Sequence, residues 1–215
     1  MEIQRTANAG VLLKLDGVSI LLDGLADRVG EYLPTPQSLA DELLKNPPDL
    51  LAFTHGHPDH CSEALLSPYR KQNLRPILGP ELLHPDGVQM GGVTIRPVPS
   101  RHIGKVEPGL IHNSFLITGS RCVWFMGDAT PSQWVGRTDL PKPDVLIAPY
   151  AYANSKSAWE FTQSVTKHLV LLHLPPKEAD SYGLNDMVGK IVGDCPKINV
   201  YIPQMEEAIL FPVKE

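Results

Sequence analysis

The chain has 215 residues, 42% hydrophobic and 20% charged, which fits an ordinary soluble globular domain with a substantial core. Its net charge of −5 and pI near 5.9 argue against a surface built to hold nucleic-acid backbones, which need dense positive charge. The odd set Cys61, Cys122 and Cys195, without regular spacing, argues against a disulfide framework and fits a reducing cytoplasm. Met1-Glu2-Ile3-Gln4-Arg5 lacks the pattern of an export signal, and no apolar run approaches the ~20 residues that span a bilayer, so a cytoplasmic, non-membrane protein is expected.

The elements can be read in order from hydrophobic periodicity and turn residues. Residues 10–15 and 18–22 are apolar and β-rich and meet at Asp16-Gly17, which predicts an opening β-hairpin. After a loop over 28–36, residues 38–45 read as a short amphipathic helix stopped by Asn46-Pro47-Pro48. The run Asp49-Leu50-Leu51-Ala52-Phe53 reads as a buried strand leading into Thr54-His55-Gly56-His57-Pro58-Asp59-His60-Cys61, with a helix from about 59 to 71. Strands follow at 76–78 and 92–98, with His84 between them as a solvated loop residue. A second hairpin pairs 114–118 with 122–126 through Gly119-Ser120. A buried strand at 143–149 leads to Tyr150-Ala151-Tyr152. Ser157-Ala158-Trp159-Glu160 reads as a capping box starting a helix that reaches about His168, where an imidazole suits the helix dipole. A strand at 169–173 ends on His173. A helix around 185–192 and strands near 198–202 and 208–211 follow, and one domain over 1–215 is expected.

The chemistry concentrates at 55–60, where three imidazoles and a carboxylate fall within six residues. Such groups are costly to bury unless paired or bound to a metal, so a metal site is the simplest reading. The loop should sit at the carboxyl end of its strand, facing a crevice. Residues two apart in an extended loop can turn toward one ion, which suits His55 and His57, while Asp59 and His60 point elsewhere and would serve a second. Cys61 is either a thiol near the ions or simple packing.

The segment resembles the His-x-His-x-Asp-His signature of metallo-β-lactamase-fold hydrolases. The family's remaining ligands have counterparts in order: His102 after Pro97-Val98-Pro99-Ser100-Arg101, Asp128 after Phe125-Met126-Gly127, and His173 after Val170-Leu171-Leu172. The resemblance implies an α/β fold of αββα sandwich type, two mixed β-sheets flanked by helices. It implies that His55, His57 and His102 bind one ion, that Asp59, His60 and His173 bind the other, and that Asp128 bridges them. His102 is preferred to His112 because in relatives the third ligand precedes a loop and then a strand carrying Ser-Phe, here Ser114-Phe115. Asp23 is either the family's support behind the metal loop or a turn residue, and Asn8 stands where some relatives carry His. Pro99-Ser100-Arg101-His102 and His173-Leu174 look most like the small lactonase-type hydrolases.

An all-N/O ligand set suits Zn, Mn or Fe, with zinc the default. Two divalent ions would make hydroxide available near neutral pH and polarise the scissile carbonyl or phosphoryl oxygen, with Asp59 and Asp128 as the catalytic carboxylates. Ester, lactone and phosphodiester substrates all suit such a centre. Arg101, Lys105 and His112 flank His102 on one loop and would grip an anionic substrate, or else merely solvate the loop; Tyr150 and Tyr152 stand at the mouth of the site or pack the loop below it. Two other readings are a di-iron redox protein of the same fold, against which His57 replaces the carboxylate usual at that position, and a non-catalytic metal-binding module, against which the ligand set is complete.

Overall fold

The computed structural model describes residues 1–80, 86–193 and 197–212, so the readings made for His84 and Cys195 lie outside the described residues. The first half of the chain lays down β1 (Glu2–Arg5), β2 (Val11–Leu15), β3 (Val18–Leu22), α1 (Gln37–Lys45), β4 (Leu50–Ala52), α2 (Glu63–Gln72) and β5 (Ile77–Leu78). Then come β6 (Val88–Met90), β7 (Val93–Pro99), β8 (Asn113–Thr118), β9 (Cys122–Phe125), β10 (Val145–Pro149), α3 (Lys156–Val165), β11 (His168–Leu172), α4 (Leu184–Gly193), β12 (Asn199–Tyr201) and β13 (Ala208–Leu210). One sheet has the order β13-β1-β2-β3-β4-β5 and the other β12-β11-β10-β9-β8-β7-β6. Both are mixed, since β3-β4-β5 and β9-β10-β11-β12 pair in parallel and the other neighbours antiparallel.

Side-chain alternation along the strands builds the layers. Val11, Leu13 and Leu15 of β2 face Phe115 and Ile117 of β8, Val145 and Ile147 of β10 and Val170 and Leu172 of β11 in a core between the sheets. The intervening residues point outward: Leu12 and Leu21 pack on Leu39 and Leu43 of α1 and Leu66 and Tyr69 of α2. On the opposite side Leu146, Leu169 and Leu171 pack on Trp159, Phe161 and Val165 of α3 and Val188 of α4. Two apolar faces per sheet, each covered, give the αββα sandwich.

Four sequence expectations are corrected. The helix after the metal loop begins at Glu63, not near 59, because Ser62 caps it by accepting from Leu65 N at 3.2 Å, and residues 57–61 fold into a turn, His60 N and Cys61 N both donating to His57 O. Ser155, not Ser157, caps α3 by accepting from Ala158 N. That helix ends at Val165, and His168 opens β11, paired with Val145 and Asn199. No strand was expected at β1, which lies between β13 and β2 in the first sheet, or at β6, which forms an edge of the second.

Candidate metal centre

The metal loop leaves β4 at its carboxyl end and is held from behind by one carboxylate. Asp23, just past β3, is fully buried; its Oδ1 accepts from Thr54 N at 2.7 Å, and its Oδ2 accepts from Thr54 Oγ1 at 2.6 Å and from His60 Nδ1 at 2.8 Å. With the Thr54 hydroxyl spent as donor to Asp23, its oxygen is left to accept from His55 Nδ1 at 2.9 Å. One carboxylate thus orients His60 directly and His55 through Thr54, and each ring keeps its proton on Nδ1 with a lone pair on Nε2. Asp23 is the support for the loop rather than a turn residue. Leu25 O and Asp27 Oδ1 hold Ser62, and Asp27 N donates to Pro58 O, tying down the far end of the loop.

The other groups arrive on the second sheet. His102 follows β7, and its Nδ1 donates to Ile103 O at 2.5 Å, an oxygen that can only accept, so Nε2 is again the free lone pair. Asp128 follows β9 at Gly127, whose φ of +50° and close approach to Thr54 leave no room for a side chain, since a Cβ there would lie 2.5 Å from Thr54 Oγ1. His173 follows β11 with φ +61° and donates its backbone N–H to Asn8 O at 3.0 Å. Asn8 O is also held by the buried Arg5 guanidinium, which donates as well to Ala7 O and Pro203 O.

These positions converge. The ligand atoms of His55, His57 and His102 lie within 4.8 Å of one another, and so do those of Asp59, His60 and His173. Asp128 lies between: its Oδ2 is 3.4 Å from His102 Nε2 and 3.4 Å from His173 Nε2, and its Oδ1 is 3.4 Å from His60 Nε2. Asp59 Oδ2 is 3.3 Å from His173 Nε2. The Nε2 atoms of His55, His60, His102 and His173 and Oδ1 of Asp128 are buried without a hydrogen-bond partner. Buried polar atoms left open together, on rings whose other nitrogens are mostly engaged, fit cation ligation. His57 Nε2 is 3.1 Å from the exposed Glu107 carboxylate, leaving its Nδ1 for the cluster.

Electrostatics agree with that fit. Burial above all, reinforced by the neighbouring imidazole of His60, pushes His55 far below the usual imidazole range, so it is neutral and ready to ligate. Burial disfavours charge on His173, but the negative charge of Asp128 and the close approach of the Asp128 and Asp59 carboxylates outweigh it and hold this imidazole at about 9. Burial would raise Asp128 too, yet the neighbouring imidazoles of His173, His60 and His102 keep it well below the carboxylate range.

Around this cluster the structure sorts the remaining expected residues. His112 is buried, with Nδ1 2.8 Å from Ser100 Oγ and Nε2 accepting from Asp128 N at 3.0 Å. Both its nitrogens are used, so it has none for a substrate; it fixes the backbone of Asp128. Tyr152 is fully buried beside Phe161 and is core, not mouth. Tyr150 is half-buried with its ring 6.2 Å from that of His173, and Arg101 and Lys105 are exposed on the loop after His102. Cys61 belongs to neither triad; it packs beside Leu25, and burial pushes its thiol up to about 12. Sequence reasoning missed Tyr32, whose ring stands edge-on to His173 at 4.3 Å, because it lies in a stretch that signals only loop.

A family model described as a beta-lactamase superfamily domain matches residues 2–172. The chain belongs to that superfamily. Among solved structures with its metallo-β-lactamase fold, a possible metal-dependent hydrolase from Veillonella parvula is 17% identical, covering 97% of this chain and 98% of that one at a TM-score of 0.68. The Bacillus subtilis protein YhfI is 18% identical over 97% and 98% of the two chains, with a TM-score of 0.66. Igni18, a metallo hydrolase from Ignicoccus hospitalis, is 18% identical over 99% of each chain, with a TM-score of 0.63. At these identities the likeness speaks for the superfamily fold alone. No curated protein matches. Fold and triads together support a metal-dependent hydrolase of this superfamily, and no helix among the described residues is long and apolar enough to cross a membrane.

Proposed function

We propose that the chain is a dinuclear metal-dependent hydrolase in which His55, His57 and His102 hold one ion, Asp59, His60 and His173 hold the other, and Asp128 bridges them. The observation that carries this reading is the place of Asp128, 3.4 Å from His102 of one triad and 3.4 Å from His60 and His173 of the other. When bound, two divalent ions, with zinc first and manganese or iron as substitutes, supply activation of water and polarisation of a carbonyl or phosphoryl oxygen. The chain's own part is to orient the ligands through Asp23, Thr54, His112 and the Ile103 carbonyl, and to keep a carboxylate oxygen, Asp59 Oδ2, where it can take a proton from water. Ester, lactone and phosphodiester substrates all fit that chemistry. The test is metal analysis after reconstitution with zinc, manganese and iron, followed by a panel of those three substrate classes. Close to two ions per chain and turnover abolished by chelation are expected; protein that retains no ion, or turnover indifferent to chelation, overturns the proposal.

A further inference from the structure

A cleft of about 720 Å³ opens beside the second triad, on the side of His173. Three separate segments line it: Val29 and Tyr32 from the loop after β3, Tyr150 from the end of β10, and Tyr182, Leu184 and Met187 from the entry and first turns of α4. Tyr32 and Tyr150 form its floor toward the ligands, their rings 4.3 and 6.2 Å from the His173 ring. Val29, Tyr182 and Met187 form its rim and are 39%, 76% and 38% exposed, an unusual concentration of exposed apolar side chains next to a polar centre. The only charged lining residue among those described is Glu31, whose carboxylate accepts from Ser181 N.

We propose that this cleft is the substrate pocket of the metal centre and takes an apolar, uncharged arm, an aryl ring or a chain of about six to eight carbons, of an ester or lactone whose scissile carbonyl lies at His173. The inference rests on the hydrolase reading above and narrows it. The volume falls in the range of pockets that enclose small organic ligands, ~300–1,000 Å³. The walls are aromatic and aliphatic, and the phenols of Tyr32 and Tyr150 supply polar edges where the apolar floor meets the triad. A phosphate or carboxylate arm would find no cation among the described lining residues, and it would meet Glu31. The exposed Arg101 and Lys105 belong to the loop after His102, which is not part of this lining.

The experiment has two arms on the metal-loaded protein. Hydrolysis is measured for neutral 4-nitrophenyl esters from acetyl to octanoyl and for bis(4-nitrophenyl) phosphate, and binding of the neutral fluorophore N-phenyl-1-naphthylamine is measured by its emission, with and without octanamide as competitor. The expected result is a kcat/KM that climbs at least tenfold from acetyl to octanoyl, a modest demand on an apolar pocket given what single methylenes contribute. Octanamide should displace the fluorophore. Met187→Asp and Tyr182→Asp, both on exposed side chains, should flatten the chain-length dependence and weaken fluorophore binding at least tenfold. Leu210→Asp, an equally exposed apolar site on β13, should do neither. A flat series with active enzyme, preference for the phosphodiester, or fluorophore binding unmoved by both cleft variants overturns the pocket. Fluorophore binding that responds to the variants while no ester is hydrolysed supports the pocket and instead overturns the hydrolase reading.

Discussion

Replacing Asp23 with Asn tests whether one buried carboxylate sets both triads. The substitution keeps shape and removes charge. If the new amide oxygen keeps the bond from Thr54 N, its NH₂ faces the two donors that Oδ2 now accepts, Thr54 Oγ1 at 2.6 Å and His60 Nδ1 at 2.8 Å. Retaining His60 in its ligating tautomer then leaves a fully buried N–H against another donor, a cost of about 1–3 kcal/mol. The alternative moves the proton to His60 Nε2, where it blocks the lone pair. Either way, ion affinity at the second triad should fall about 10- to 100-fold, the usual effect of removing such an orienting partner. The first triad should lose less, because Thr54 stands between Asp23 and His55 and can re-aim its hydroxyl. Competition against a chromophoric chelator reads the two affinities, and circular dichroism checks the fold. Two affinities within twofold of the parent protein would refute the reasoning.

Asp128→Ala should lose ions from both positions and nearly all activity with the fold retained, whereas His173→Ala should mainly weaken the second position; metal content and circular dichroism of the two variants decide between a bridging carboxylate and a turn residue. Burial holds His112 at about 3, whereas the unfolded chain takes up that proton near 6.5, so the folded state is fully favoured above 6.5 and loses this contribution as pH falls toward 3. By pH 5 the loss is about 2 kcal/mol; denaturant unfolding of metal-free protein at pH 7 and pH 5 should show His112→Gln less stable at pH 7 but less acid-sensitive by about that amount, and equal sensitivity would remove His112 as the cause. If the exposed cations steer an anionic group toward His102, Arg101→Ala and Lys105→Ala should raise the Michaelis constant of an anionic substrate several-fold at low salt, an effect that fades as salt is added; an unchanged constant makes the loop a solvated surface.

The parts of the site legible in the sequence are those whose geometry is local. His55, His57, Asp59 and His60 share one short loop, so spacing and strand context are enough to divide them between two directions. His102, Asp128 and His173 reach the same cluster from three strand ends of the second sheet, and only resemblance to a family ties such separated residues together. The place of His112 is illegible for a related reason: it immediately precedes β8 next to an exposed loop, and nothing nearby in sequence reveals that the end of β9 folds over it and presents Asp128 N to its ring. Tyr150 and Tyr152 part company because the short helical turn at Tyr150–Ala153 sends them to different sides, one to the cleft and the other into the core against α3. The boundaries that slipped, at α2 and α3, were contests between neighbouring Ser and Asp residues for one capping position, decided by the tertiary course of the preceding loop.

Backbone strain also helps to hold the centre. Asp23 and His173 both sit at positive φ, +48° and +61°, without the glycine that normally makes this cheap. Each position costs about 1–2 kcal/mol. Both are pinned by backbone bonds into the sheets, Asp23 N to Ala52 O and His173 N to Asn8 O, each at 3.0 Å, and Asn8 O is fastened in turn by Arg5. Elsewhere among the described residues, non-glycine positive φ falls at Asp16 in the hairpin turn, Asn73 capping α2, and Glu206 just before β13, where chain reversal explains it. At Asp23 and His173 the twist instead redirects a side chain from strand direction into the cluster, one as support and one as ligand. The strain is supported by backbone bonds into the inter-sheet core and by the Arg5 bracket, which is the physical reason for expecting the fold to outlast the loss of any single ligand.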